Sequence, residues 1–122
     1  AHVSYLHGGR IDPGPVVEAA GRVGALTVVD GSQAAGALPF DFGASGIDVY
    51  AVSGYKFLLG PYGSGLGLFS ANALARLSVG AVSLKTKAGA EDFNHLPDVV
   101  ELVPGARRLQ SASIPRPPPP AR

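Results

Sequence analysis

Apolar residues fall into short continuous runs separated by glycine- and proline-bearing turns, with one segment of helical spacing among them. Residues 1–6 predict a first short strand, closed by a turn at His7, Gly8 and Gly9. Asp12 and Pro13 predict a helix start. An aspartate at the cap accepts otherwise free backbone N–H groups, and proline at the first helical position gives up a donor that had no partner. Val16, Val17, Ala19, Ala20 and Val23 then recur on one helical face, and Gly24 stands where a left-handed residue ends a helix. The run 26–29 is apolar and β-branched, as in a strand buried on both faces of a parallel sheet, and it stops at Asp30. Strand, helix and strand predict a βαβ unit.

Residues 31–37 read as a short helix or turn ahead of Pro39, and residues 47–52 as a second buried strand ending at Ser53. After a glycine-rich loop, Leu68 and Phe69 form a short strand. Ser70 caps a small helix with Leu74 and Leu77 inward. Periodicity fades past Gly80. The expected division is an α/β segment over 1–82, a mixed connecting segment over 83–110, and a proline-rich, disordered tail over 111–122 that can neither pair in a sheet nor continue a helix. That tract also has the composition of a ligand for an SH3-like partner.

Composition narrows the function classes. The chain has 122 residues, 17 of them Gly and 11 Pro, and is 46% hydrophobic, enough for one modest core. Ten basic against nine acidic residues leave a net charge of +1 and no basic stripe, so neither nucleic acid nor an anionic membrane is an expected partner. With no Cys there is no disulfide, thiolate metal site or cysteine nucleophile in this segment, which fits a reducing, cytoplasmic setting. No apolar run approaches the ~20 residues of a membrane span. His2, His7 and His95 lack ligand spacing, so no metal site is expected.

The candidate chemistry lies beyond the carboxyl ends of the predicted strands, where open α/β sheets bind ligands. Asp30 is either a cap for residues 32–37 or a carboxylate presented at the sheet edge, and spacing alone does not separate the two. Lys56 stands among Tyr55, Phe57, Leu58 and Leu59. A desolvated lysine loses pKa and becomes the neutral amine that Schiff-base chemistry requires, whereas a lysine at a strand end can also snorkel into water. Together, an acid after one strand and a lysine after the next match the needs of pyridoxal phosphate: a carboxylate for the ring nitrogen and an amine for the aldehyde. The loop 60–67 is glycine-rich but lacks the Gly-Lys-Ser/Thr ending of a nucleotide loop and leads into a strand, so its glycines read as tight turning beside the lysine. Arg107 and Arg108 are suited to a carboxylate or phosphate, or to a solvated pair.

Two motifs, in order, carry a family resemblance. Val29-Asp30-Gly31-Ser32-Gln33, followed by Pro39 and Asp41, resembles the "VDGAQ" segment of class V aminotransferase-type pyridoxal phosphate enzymes, a group that includes cysteine desulfurases, selenocysteine lyases, kynureninases and epimerases. Residues 48–67, with Ser53-Gly54-Tyr55-Lys56 and Gly60-Pro61-Tyr62-Gly63-Ser64-Gly65, resemble that family's "Ser-Gly-His/Tyr-Lys … Gly-Pro-x-Gly-x-Gly" signature. Gly105-Ala106-Arg107-Arg108 is similar to its "ARRFE" stretch. The resemblance covers roughly residues 1–80.

The resemblance implies the second half of the large domain of a fold-type I transferase, a partial three-layer α/β sheet, and pyridoxal 5′-phosphate as cofactor. It implies a Schiff base at Lys56, Asp30 on the pyridine nitrogen, Gln33 on the phenolic oxygen, and Ser53 and Tyr55 on the phosphate. Tyr5 stands about where desulfurases place an Asn. The function implied is a lyase or transferase acting on an amino acid, homodimeric when complete. The family's upstream segment and small domain are expected to be missing, and residues after about Gln110 to come from a frameshift or truncation. The isolated segment is then inactive, and the alternative is a non-catalytic remnant or binding module of that fold.

Overall fold

A computed structural model describes residues 1–80, 82–83, 86–89 and 99–110; His95 and the proline-rich tail lie outside the described residues. Its elements are α1 (Gly14–Arg22), β1 (Val28–Asp30), α2 (Phe42–Ser45), β2 (Val49–Ser53), β3 (Gly65–Phe69), α3 (Ala71–Arg76) and a 3-10 helix (Gly105–Leu109). The sheet order is β1-β2-β3, with β1 and β2 parallel and β3 antiparallel to β2. Asp30 lies opposite Ala51, and Ser53 opposite Gly65.

Strand alternation divides these residues between two faces. Tyr50 and Val52, with Ile47, form the buried core, and Val17, Val29, Ala35, Phe40 and Phe42 pack against them. Asp30, Ala51, Ser53, Gly65 and Gly67 share the other face, where small side chains leave the sheet open. Val28 on that face is 71% exposed, so β1 is not buried on both sides as its apolar run predicted.

Residues 1–6 do not form the expected strand, and the βαβ unit is incomplete. A single bridge joins Val3 to Arg10 around a turn, because Gly8, at φ +69°, reverses the chain before a ladder can extend. One backbone bond, from His2 N–H to Asp30 C=O at 2.8 Å, attaches this loop to β1. The first helix starts at Gly14, one residue later than predicted, with Asp12 Oδ1 still accepting the Gly14 N–H at 3.0 Å. Gly24 ends it as expected, at φ +67° with Ala25 N–H on Ala20 C=O. Its apolar stripe is narrower than the spacing implied: Val17 reaches the core, while Val16 and Val23 are exposed. Residues 31–37 are turns. The third strand begins at Gly65, so two of the loop glycines belong to the ladder; a Cβ on Gly65 would lie 2.9 Å from the Val52 carbonyl. Ser70 caps α3 by accepting the Ala73 N–H, and Ala73 is the residue buried there, with Leu74 and Leu77 half-buried.

Buried Asp48, before β2, ties the layers together. Its Oδ2 accepts the Thr27 N–H at 3.0 Å and hydroxyl at 3.3 Å, and its Oδ1 accepts the Ser70 hydroxyl at 3.0 Å and Asn72 Nδ2 at 2.8 Å. Four donors to one carboxylate compensate its desolvation and lock the start of β1, the start of β2 and the cap of α3 in register. Register matters here because it sets where Asp30 emerges relative to the lysine loop.

Gly31 is the tightest point. A Cβ there would fall 2.1 Å from ring carbons of Tyr50, which is 1% exposed and cannot swing away. Gly31→Ala is expected to lower stability by ~1–3 kcal/mol, the cost of overpacking a filled core. The check is the urea midpoint: it falls at unchanged m-value.

Candidate active site

Asp30 and Lys56 follow the carboxyl ends of neighbouring parallel strands, Asp30 as the last residue of β1 and Lys56 three residues past β2. The Asp30 carboxylate is exposed on the open face and accepts the Ser32 N–H at 2.8 Å. The Ser32 hydroxyl and backbone N–H hold its pKa below the ordinary carboxylate value, and the Ala1 amino group and Lys56 add to this. Asp30 is thus an anion at neutral pH, within electrostatic reach of Lys56.

Ser53 is fixed by the same serine: its N–H donates to Ser32 Oγ at 2.9 Å, and the two hydroxyl oxygens lie 3.1 Å apart. The Ser32 hydroxyl thus lies between Ser53 Oγ and the Asp30 carboxylate. Ser32, absent from the residues that sequence reasoning selected, therefore joins Asp30 to Ser53. Its signal was only its place between them in the first motif.

Lys56 sits in a loop closed by Gly60 N–H on Gly54 C=O at 2.8 Å, and Gly54 N–H in turn bonds Ser64 C=O at 2.9 Å. Gly54 and Gly60 both crowd Ser64: a Cβ on either would lie 2.4 or 2.7 Å from its hydroxyl oxygen. The glycines of the motif thus pull the loop tight, as its composition suggested. Leu59 takes φ +54°, an uncommon conformation for leucine, and bonds back to Lys56 C=O. Lys56 is half-buried, its Nζ 5.7 Å from the Tyr5 ring centroid and 6.0 Å from that of Tyr55. Tyr55 stacks on Tyr62 at 4.9 Å. Aromatic walls, rather than full burial, surround the amine.

A cleft of about 880 Å³ opens on the exposed sheet face, lined by Asp30, Ser32, Ser53, Gly65 and Gly67 and, from the 3-10 helix and the residue after it, by Arg107 and Gln110. Lys56, Tyr55 and Gln33 do not line it; Gln33 is half-buried and makes no hydrogen bond among the described residues. The five residues picked out by sequence therefore fall in three places: Asp30 and Ser53 in the cleft, Lys56 and Tyr55 at the adjoining loop, and Gln33 in the turn after β1. The arginine pair is also split. Arg107 faces the cleft, whereas Arg108 donates to Gly105 C=O and to Leu74 C=O, tying the 3-10 helix to α3.

Behind the site, buried His2 has its pKa lowered, chiefly by desolvation and further by Arg10 and the Ala1 amino group. Asp48 is held below its ordinary value, first by the Thr27 N–H. Each depressed folded value means that the unfolded chain binds the proton first as pH falls. Stability is therefore expected to drop in two stages, below about 6.5 from His2 and again below about 3.8 from the carboxylates. Urea unfolding across pH checks this, with the first stage absent in His2→Gln.

Residues 1–96 match the aminotransferase class-V family. A probable cysteine desulfurase of Aeropyrum pernix is 45% identical over 65 residues, covering 53% of this chain and 16% of that protein. Isopenicillin N epimerase of Amycolatopsis lactamdurans is 54% identical over 48 residues, covering 39% and 12%. Among solved structures, the cysteine desulfurase CsdA of Escherichia coli matches with a TM-score of 0.74 at 26% identity, covering 92% of this chain and 27% of that one. An apo cysteine desulfurase of Thermococcus onnurineus matches in fold, with a TM-score of 0.75 at 23% identity, covering 93% and 27%. The chain thus spans about a sixth or less of the length of these curated relatives. Its sheet and helices are a partial α/β large domain of fold type I. On the strength of its two motifs and of the match over most of its length, the chain belongs to the aminotransferase class-V family.

Proposed function

We propose that this segment is the cofactor-bearing part of a pyridoxal 5′-phosphate-dependent lyase or transferase acting on an amino acid. The observation that carries the reading is the pairing of an ionised Asp30 and the Lys56 amine at the ends of adjacent parallel strands. The donor set fits the cofactor: a carboxylate that is anionic at neutral pH, an amine between aromatic rings, and the Ser53 and Tyr55 hydroxyls with the Gln33 amide. When bound, the cofactor supplies an aldehyde that condenses with an amine and a ring that accepts electrons from the substrate Cα.

Each residue then has a defined task. Asp30 would hold the proton on the pyridine nitrogen, and Ser32 keeps that carboxylate ionised and aimed. Gln33 would meet the phenolic oxygen, and Ser53 and Tyr55 would donate to the phosphate. Lys56 Nζ would provide the amine that meets the aldehyde and, as a free amine, would be the base that moves the substrate Cα proton. Titrating pyridoxal 5′-phosphate into the chain and following the visible absorption tests this reading. Asp30→Ala is expected to weaken the saturable change about tenfold or more, the loss of one charged hydrogen bond. Equal affinity of the variant and wild type would contradict it.

We further propose that the chain by itself does not turn over substrate, the complete enzyme being a cytoplasmic homodimer without nucleic-acid or membrane partners. Apolar surface left open on both faces of the sheet favours an incomplete site, Val28 being 71% and Leu66 44% exposed. Half a site gives up the preorganisation on which affinity depends. Among the described residues, no helix is long and apolar enough to cross a membrane.

A further inference from the structure

We infer that His2 and Tyr50 are positioning residues for Asp30, a buried hydrogen-bonded pair that fixes the direction in which its carboxylate leaves the sheet. The inference deepens the cofactor reading and rests on it for its chemical purpose. Asp30 ends a strand of three residues, where backbone bonds alone hold direction poorly. His2 and Tyr50 grip this end from two sides. The His2 N–H bonds the Asp30 carbonyl at 2.8 Å, and the Tyr50 ring occupies the space beside Gly31, the next residue. His2 Nδ1 and the Tyr50 hydroxyl meet at 2.9 Å, joining the two grips.

The pair is itself immobilised. His2 is 2% and Tyr50 1% exposed. Phe40 stacks on Tyr50 at 4.6 Å and meets the His2 ring edge-on at 5.1 Å. On the other side of β1, Gly31 N–H bonds Ala51 C=O at 2.8 Å. The Asp30–Gly31 peptide is therefore held from β2 and from the N-terminal loop at once. With that peptide fixed, the Ser32 N–H stays 2.8 Å from Asp30 Oδ1. If His2 and Tyr50 separate, the carboxylate is free to turn away from Ser32.

The test is the titration of the Asp30 side-chain carboxyl carbon by NMR in the full chain, with Asp30→Asn assigning the signal. Charged neighbours of Asp30, namely the Ala1 amino group, Lys56 and Arg107 across the cleft, are left unaltered. In Tyr50→Phe, which keeps the ring and its packing, the Asp30 midpoint is expected to rise toward the ordinary carboxylate value while that of Asp48 stays put. His2→Ala does the same, the double variant adds nothing, and His2→Asn, whose amide stands in for Nδ1, restores the wild-type midpoint. Should His2→Ala unfold, Tyr50→Phe still decides. An Asp30 midpoint unmoved in Tyr50→Phe, or Asp30 and Asp48 moving together as in general loosening, overturns the inference. Pyridoxal 5′-phosphate added to the same samples separates it from the cofactor reading. No capture by wild type overturns that reading alone, and several-fold weaker capture by Tyr50→Phe supports both.

Discussion

Lys56→Ala is expected to abolish specific capture of pyridoxal 5′-phosphate while leaving the fold intact. The side chain is half-buried and its contacts are two aromatic rings at 5.7 and 6.0 Å. Losing such contacts costs ~0.5–1 kcal/mol at an exposed site, well inside the stability of an ordinary domain. The amine itself has no substitute at this position, since Lys85 and Lys87 are the only other lysines in the chain. Lys56→Arg separates charge from nucleophile: it keeps a cation beside Asp30, but a guanidinium stays protonated and cannot condense with an aldehyde. Both variants should lose the saturable visible absorption and unfold within about 1 kcal/mol of wild type. If Lys56→Arg retained the absorption, charge rather than the amine would be what holds the cofactor.

Asp48→Ala has the opposite signature, lowering stability sharply without touching the amine. Removing this carboxylate strands the Thr27 N–H and hydroxyl, the Ser70 hydroxyl and the Asn72 amide together. Hydrogen bonds to a charged group contribute ~1.5–3 kcal/mol each, and because they share one acceptor their losses overlap. The expected cost is ~3–5 kcal/mol, a large part of the ~5–15 kcal/mol that holds a domain together. Asp48→Asn keeps the shape and one acceptor and should lose less. Urea denaturation gives both numbers, and a loss below ~1 kcal/mol in Asp48→Ala would show that the network does not set the register of β1 on β2.

The part of the fold written locally in the chain was legible. Gly24 and Ser70 act as predicted because a left-handed stop and a side-chain cap depend on a few neighbouring residues. The apolar run before Ser53 became β2 because Tyr50 and Val52 need a core. What failed was pairing between distant residues. The first strand is one bridge long, and Gly65 and Gly67 joined the ladder because Ser53 and Ala51 lie opposite them, facts no local pattern carries. The site divides in the same way. Asp30 and Lys56 stood out as charges beside apolar runs. Ser32, Asp48 and the His2–Tyr50 pair did not, since each acts through a partner 21 to 48 residues away. The resemblance named residues at motif positions, while the cleft wall formed by Arg107 came from a 3-10 helix that brings distant chain over the open face.

The central claim, that Lys56 is the amine of a pyridoxal phosphate site, is most directly tested by reducing the chain with borohydride in the presence of pyridoxal 5′-phosphate and mapping the labelled peptides by mass spectrometry. A label concentrated on Lys56 at low cofactor excess, and lost from that peptide in Lys56→Ala, is the expected result. A label spread evenly over Lys56, Lys85, Lys87 and the Ala1 amino group would contradict it.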